Sequence, residues 1–181
     1  QQLCYGGGVQ RVAHRDGPSE VVGIDHGRGF DEYYSIPADA DTAVDGHWEK
    51  GPGLPFFQAV TAALGEKEII AEDLGYVTDS VRQLVRDTGY PGMKVLEFAF
   101  DSREESDYLP HNYPHNCVVY TGTHDNNTLM GWLKEIPKED LDMCINYLRL
   151  TKEEGYDKGI IKAAWASVGD TAIAQMQDFL G

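Results

Sequence analysis

With 181 residues, 41% of them hydrophobic, the chain suits one domain with a sizeable core. Its formal net charge of −15 would repel a phosphate backbone, so nucleic acid is excluded as an expected partner, and most of that charge reads as a solvated acidic surface. No apolar run approaches the ~18 residues of a membrane span. No signal-peptide pattern opens the chain. The three cysteines, Cys4, Cys117 and Cys144, are odd in number and lack CxxC spacing, which points to neither a disulfide framework nor a zinc site. A cytoplasmic location is the expectation.

In chain order, residues 1–20 carry Gly6–Gly7–Gly8 and His14–Arg15–Asp16–Gly17–Pro18, which break any period and predict loop. Val21 to Ile24 reads as a short buried strand. Residues 26–53 are rich in glycine, proline and aromatics without a period, and predict a long structured loop. Pro55 to Leu64 reads as a helix, with Phe56, Phe57, Val60 and Leu64 on one face and Gly65 as its stop. Ile69 to Ala71 is the next strand. Thr78 or Asp79 then caps a helix that buries Val81, Leu84 and Val85 and ends at Gly89. Met93 to Phe98 and Cys117 to Tyr120 read as strands. Pro137 opens a helix to about Leu148, and another runs from about Lys158 to Val168. Thr171 to Leu180 suits a strand or a short helix. Strands alternate with helices, which implies right-handed βαβ units and a parallel sheet. Four or five strands in this length make an open sheet or about half of a closed eight-stranded barrel.

The most informative stretch is Ile69–Ile70–Ala71–Glu72–Asp73–Leu74–Gly75, an apolar strand that ends in carboxylates. Val21–Val22–Gly23–Ile24–Asp25–His26 repeats the device. So does Val118–Val119–Tyr120–Thr121–Gly122–Thr123–His124–Asp125. In a parallel barrel the chemistry sits at the C-terminal ends of the strands, where Asp25, Glu72 and Asp125 would then lie. Two carboxylates flanking a glycosidic bond are what glycoside chemistry needs, one as nucleophile and one as proton donor. Taken singly, Tyr33, Tyr34 and Trp48 serve packing more often than sugar contact, and His26 and His124 are more often structural than catalytic. Both histidines, however, adjoin a strand-end aspartate. Asp25, His26, Glu72, Asp73, His124 and Asp125 are also acceptable ligands for a divalent ion. No HExxH or close His-x-His pair supports that rival. Gly6–Gly7–Gly8 lacks the spacing and lysine of a phosphate loop.

These residues resemble the 4-α-glucanotransferases, or amylomaltases. The matching segments are Ile24–Asp25–His26 with Arg28–Gly29–Phe30, then Gly51–Pro52–Gly53, then IAEDLG from Ile70 to Gly75. PGMKVLEFAFD from Pro91 to Asp101, YLPHNY from Tyr108 to Tyr113, VYTGTHDNNTLMGW from Val119 to Trp132, and MQDFLG from Met176 to Gly181 complete the set. The resemblance spans residues 21–181. It implies an α/β fold of the parallel (β/α)8 barrel family, represented by about its C-terminal half, and retaining transfer of α-1,4-glucan segments to an acceptor sugar 4-hydroxyl. By motif position Asp25 is similar to the nucleophile, Glu72 to the acid/base and Asp125 to the transition-state stabiliser. His124, His26 and Asn126 are the expected substrate contacts, and α-1,4-glucans the expected partners. The resemblance implies no cofactor and no metal. The chain starts at Gln1 and ends on an apolar run, so both ends read as cut. The missing half of the barrel is then expected to be needed for activity, because half a barrel exposes sheet edges and apolar surface.

Three positions depart from the family pattern. An arginine is usual two residues before the nucleophile, where its positive charge would favour an ionised carboxylate; this chain has Gly23. Gly27 stands where an aromatic is usual, and Asn127 where an aspartate is usual. Residues 1–20 do not resemble the helix expected there. Loss of that arginine keeps a second expectation alive, a non-catalytic α-glucan-binding remnant.

Overall fold

The computed structural model describes residues 21–25, 27–75 and 77–180, so the expected N-terminal loop, Cys4 and His26 lie outside the described residues. Seven strands are described: β1 (Val21–Ile24), β2 (Glu32–Ser35), β3 (His47–Lys50), β4 (Glu68–Ala71), β5 (Gly92–Val95), β6 (Cys117–Tyr120) and β7 (Thr171–Ile173). The α-helices are α1 (Arg28–Asp31), α2 (Leu54–Leu64), α3 (Asp79–Thr88), α4 (Leu129–Glu135), α5 (Lys138–Leu148), α6 (Tyr156–Trp165) and α7 (Met176–Leu180). The chain divides into two compact units, Gln1–Gly92 and Met93–Gly181. A run of βα repeats makes most of its contacts between neighbours in sequence, which is why it separates along the chain.

In the first unit β1 pairs in parallel with β4, in a register running from Val21↔Glu68 to Ile24↔Ala71. Ala71 in turn pairs with Gly92 at the start of β5. Helix α2 has Pro55 in its first turn, where a missing N–H is harmless, and ends at Gly65, whose φ of 77° suits a residue without a side chain. Its face of Phe56, Phe57 and Val60 is buried, packed by Ile24, Phe30, Leu64, Leu84 and Tyr90. Helix α3 is capped by Thr78, whose hydroxyl accepts from the Val81 N–H at 3.4 Å, and Gly89 ends it in the left-handed region.

The 26–53 stretch is more regular than its sequence predicts. It holds the short helix α1 and an antiparallel hairpin in which β2 and β3 pair from Glu32↔Lys50 to Ser35↔His47. The hairpin is mostly exposed on both faces, so neither strand shows the apolar alternation by which a strand is recognised. Cross-strand pairs hold it instead. The Tyr34 and Trp48 rings sit 5.3 Å apart edge to face, the Arg28 guanidinium lies 4.4 Å over Trp48, and the Tyr33 hydroxyl donates to Glu49.

In the second unit β6 pairs in parallel with β7, from Val118↔Thr171 to Tyr120↔Ile173, and β5 neighbours β6. All of Cys117, Val118 and Val119 are buried, as a strand covered on both faces requires. They join a core that includes Leu96, Leu129, Cys144, Ile160, Ile161 and Ala164. Burial pushes the Cys144 thiol up to about 12, so it is an inert packing group. The strand expected from Met93 to Phe98 instead stops at Val95 and turns into a 3-10 helix, Leu96–Phe98. Helix α4 was not legible; its cap, Thr128, accepts from the Gly131 N–H. The ambiguous Thr171–Leu180 segment is both things in succession, strand β7 and then helix α7.

Ile160 is 1% exposed in this second core, whereas Val168 is 47% exposed. Ile160→Ala is therefore expected to cost about 2–5 kcal/mol, and Val168→Ala no more than about 0.5 kcal/mol, read from urea unfolding followed by circular dichroism.

Candidate active site

In the first unit, continuing the β1–β4 register by one step sets Asp25 opposite Glu72. The backbone extends the pairing there: the Glu72 N–H donates to the Ile24 carbonyl at 3.0 Å, and the Gly27 N–H donates to the Glu72 carbonyl at 2.7 Å. Paired residues on neighbouring strands are about 4.8 Å apart and project to the same face. Asp25 is exposed and Glu72 half-buried. The adjacent Asp73 is turned to other use. Its carboxylate lies against Gly92, 2.8 Å from where a side-chain β-carbon would stand. Of the two acids in the Ile69–Gly75 stretch, Glu72 is thus the one opposite Asp25.

Gly27 lies close to the same backbone. A β-carbon at position 27 would fall 2.8 Å from the Glu72 carbonyl oxygen, so a side chain does not fit this backbone. Gly23 is different. Among the described residues, a β-carbon there meets nothing within 4 Å.

The second unit carries His124, Asp125 and Asn126 on a tight turn after β6. The Asn126 side-chain oxygen accepts from both the Thr123 N–H (2.9 Å) and the Thr123 hydroxyl (2.7 Å). The Asn126 N–H returns to the Thr123 carbonyl, which also accepts from the Gln175 side chain. This leaves His124 and Asp125 projecting, 88% and 81% exposed in their side chains, with Nε2 and Oδ1 3.3 Å apart. The carboxamide oxygen of Asn126 is occupied by the turn, so only its amide N–H groups face outward chemistry.

Beneath that turn lies a set of residues that the sequence did not single out. The Glu97 N–H donates to the Thr121 carbonyl, and the Thr121 N–H to the Ile173 carbonyl, so these residues stand level at the ends of their strands. Asp178, 3% exposed, accepts from the Thr121 hydroxyl at 3.0 Å and from the Leu129 N–H at 2.8 Å. Glu97, 8% exposed, packs on Gly122, where a β-carbon would come within 2.9 Å of its carboxyl carbon. Burial, reinforced by the negative charges of Asp178 and Glu135, pushes the Glu97 carboxyl up to about 8. The lone acid inside the apolar run Val95–Phe100 was the available signal for Glu97; Asp178, beside Gln175 and Gln177, had none. Among the described residues, no group of three or more His, Cys, Asp or Glu side chains is arranged to hold a metal ion.

A family model described as 4-alpha-glucanotransferase matches residues 8–181 of this chain. The chain belongs to the 4-alpha-glucanotransferase family. It is 47% identical over 162 residues to the 4-alpha-glucanotransferase of Clostridium butyricum, a match that covers 89% of this chain and 33% of that one. With the chloroplastic/amyloplastic 4-alpha-glucanotransferase of Solanum tuberosum it shares 44% identity over 173 residues, covering 96% of this chain and 30% of the relative. It thus spans about a third of the length of these relatives. Its backbone superposes with a TM-score of 0.87 on an amylomaltase from Streptococcus agalactiae in complex with acarbose, 37% identical, over 95% of this chain and 35% of that one. An amylomaltase from Corynebacterium glutamicum, 16% identical, shares the fold at a TM-score of 0.65 over 86% of this chain and 28% of that one. The parallel βα repeats are accordingly part of a (β/α)8 barrel, the expected fold class. Among the described residues no helix is long and apolar enough to cross a membrane.

Two glycines separate open from crowded positions in this family member. Gly122→Ala drives a methyl group into Glu97 and is expected to cost about 1–3 kcal/mol. Gly23→Ala enters open space in a strand and is expected to be neutral or stabilising by about 0.5–1 kcal/mol. Urea midpoints of the two variants against the parent chain measure the difference.

Proposed function

We propose that this chain contributes the nucleophile and the acid/base of a retaining 4-α-glucanotransferase. The observation that carries the proposal is the parallel register that sets Asp25 opposite Glu72 on neighbouring strands. Retaining glycoside chemistry needs two carboxyl groups about 5–5.5 Å apart, and adjacent strands are spaced about 4.8 Å. One strand spacing therefore supplies nearly the whole separation.

In this reading an Asp25 carboxylate oxygen attacks the anomeric carbon of a bound α-1,4-glucan. The bond to the leaving glycosidic oxygen breaks as Glu72 donates its proton to that oxygen. A covalent glycosyl-enzyme remains, with Glu72 now ionised. Glu72 then takes the proton of an acceptor sugar 4-hydroxyl, whose oxygen displaces Asp25 and restores both carboxyl groups. Asp125 would stabilise the oxocarbenium-like charge. His124, His26 and the amide of Asn126 would hold sugar hydroxyls. The acarbose bound to the Streptococcus agalactiae relative supports a sugar-derived ligand for this fold. Partners are then α-1,4-glucans, and a cytoplasmic setting is proposed on the bacterial relatives.

A second reading has one observation in its favour. Gly23 brings no positive charge to the strand that ends in Asp25, so the chain would bind glucan without turning it over.

The 181-residue chain alone is expected to release no glucose from maltotriose above background. Joined to the remaining two thirds of the Clostridium butyricum relative, it is expected to gain activity, and Glu72→Gln there to lose about 10²–10⁴-fold in kcat. Full activity in Glu72→Gln would count against the acid/base role. In the same joined protein Gly23→Arg raises kcat under the catalytic reading. Glucan binding without turnover, unchanged by that substitution, favours the binding remnant.

A further inference from the structure

Two buried carboxyl groups in the second unit have no part in the mechanism above. Asp178 is fully provided for, with the Thr121 hydroxyl on one oxygen and the Leu129 N–H on the other. Glu97 is not: among the described residues no donor reaches its Oε1, although the side chain is 8% exposed. The charged groups that act on Glu97 are acidic, Asp178 from α7 and Glu135 at the end of α4, while the segment directly after β6 brings Thr121 and Gly122 against it. Two like charges sharing one low-dielectric space cannot both be ionised cheaply. Burial and these acidic neighbours therefore favour the protonated form of Glu97, the acid without a donor on Oε1.

That acid sits in a consequential position. Its carboxyl carbon lies against the α-carbon of Gly122, the residue before the Thr123–Asn126 turn. Its own N–H is bonded to the Thr121 carbonyl, one residue earlier. Asp178 grips the same Thr121 through its hydroxyl. We propose that Glu97 is a positioning residue, a buried acid packed on Gly122 that fixes the turn presenting His124 and Asp125. The catalytic meaning of that turn rests on the reading of Asp125 above; the coupling between Glu97 and the turn does not. A charged Glu97 would be repelled by Asp178, and a shift of its carboxylate would press on Gly122 at the start of the turn.

The sign of the linkage follows. The folded chain keeps a proton on Glu97 that the unfolded chain releases in the ordinary carboxylate range. The stabilisation is therefore complete below that range and is lost as pH rises to about 8.

Nuclear magnetic resonance titration of the 181-residue chain tests this without turnover. The amide signals of Gly122, Thr123 and Asn126 are expected to shift together with a midpoint at about 8. Glu97→Gln, neutral and of the same shape, should hold them at their low-pH positions throughout and remove the matching fall in urea midpoint. Asp178→Asn should move the transition to lower pH, because one negative neighbour is gone. A transition that persists unchanged in Glu97→Gln overturns the proposal, and so does a wild-type turn that does not titrate. Should the variants fail to fold, infrared spectroscopy of the wild-type chain decides: a protonated-carboxyl stretch present at neutral pH and lost through the same midpoint sustains the proposal, and its absence at neutral pH overturns it. If the turn follows Glu97 but Asp125→Asn leaves the joined enzyme fully active, the coupling stands and the catalytic reading of Asp125 falls.

Discussion

Everything proposed for the first unit depends on one hydrogen-bonded register, Ile24↔Ala71 between β1 and β4. A strand has a period of two, so a slip of one residue would send Asp25 and Glu72 to opposite faces of the sheet. The register is held by apolar packing below and backbone bonds above. Ile69 and Ala71 are buried, Ile24 packs on the Phe56–Phe57–Val60 cluster, and the bonds from Glu72 to Ile24 and from Gly27 to Glu72 carry the pairing past the strand ends. The second of these needs a residue without a side chain at position 27. That couples Gly27 directly to the backbone of the candidate acid/base.

The second unit solves a different problem, how to hold an exposed turn still. His124 and Asp125 make few contacts of their own, as their exposure requires. Their placement comes from Thr123 and Asn126, which close the turn on itself, and from Gln175, which ties it to the segment after β7. Below them, buried Asp178 joins Thr121 to the start of α4 through two hydrogen bonds. Charged groups in a core are costly unless paired or neutral. Here Asp178 is satisfied by two donors, while burial pushes the Glu97 carboxyl up to about 8.

The elements legible in the sequence were those whose burial is one-sided or complete. Phe56, Phe57 and Val60 marked α2, and the buried run Cys117–Val119 marked β6, because both leave a periodic or continuous apolar trace. The β2–β3 hairpin left none, since it faces solvent on both sides and is held by pairs such as Tyr34 with Trp48. Helix α4 was hidden for a related reason. It is short, buries Leu129 alone, and starts from a cap that resembles the preceding polar turn. The end of β5 at Val95 reflects the Glu97–Thr121 backbone bond, a contact between residues far apart in the chain.

By itself the sequence determined the kind of chemistry available: carboxylates at the ends of apolar strands, in motifs whose order marks the 4-alpha-glucanotransferase family, and a strand–helix alternation that demands parallel pairing. These are local properties, written in residue type and period. Only the tertiary structure decided which acid stands opposite which, why Gly27 excludes a side chain while Gly23 admits one, and that Glu97 and Asp178 are buried together. Pairing register and desolvation arise between residues that meet across the fold, as Thr121 meets Asp178 over 57 positions, and no window of the sequence contains both partners.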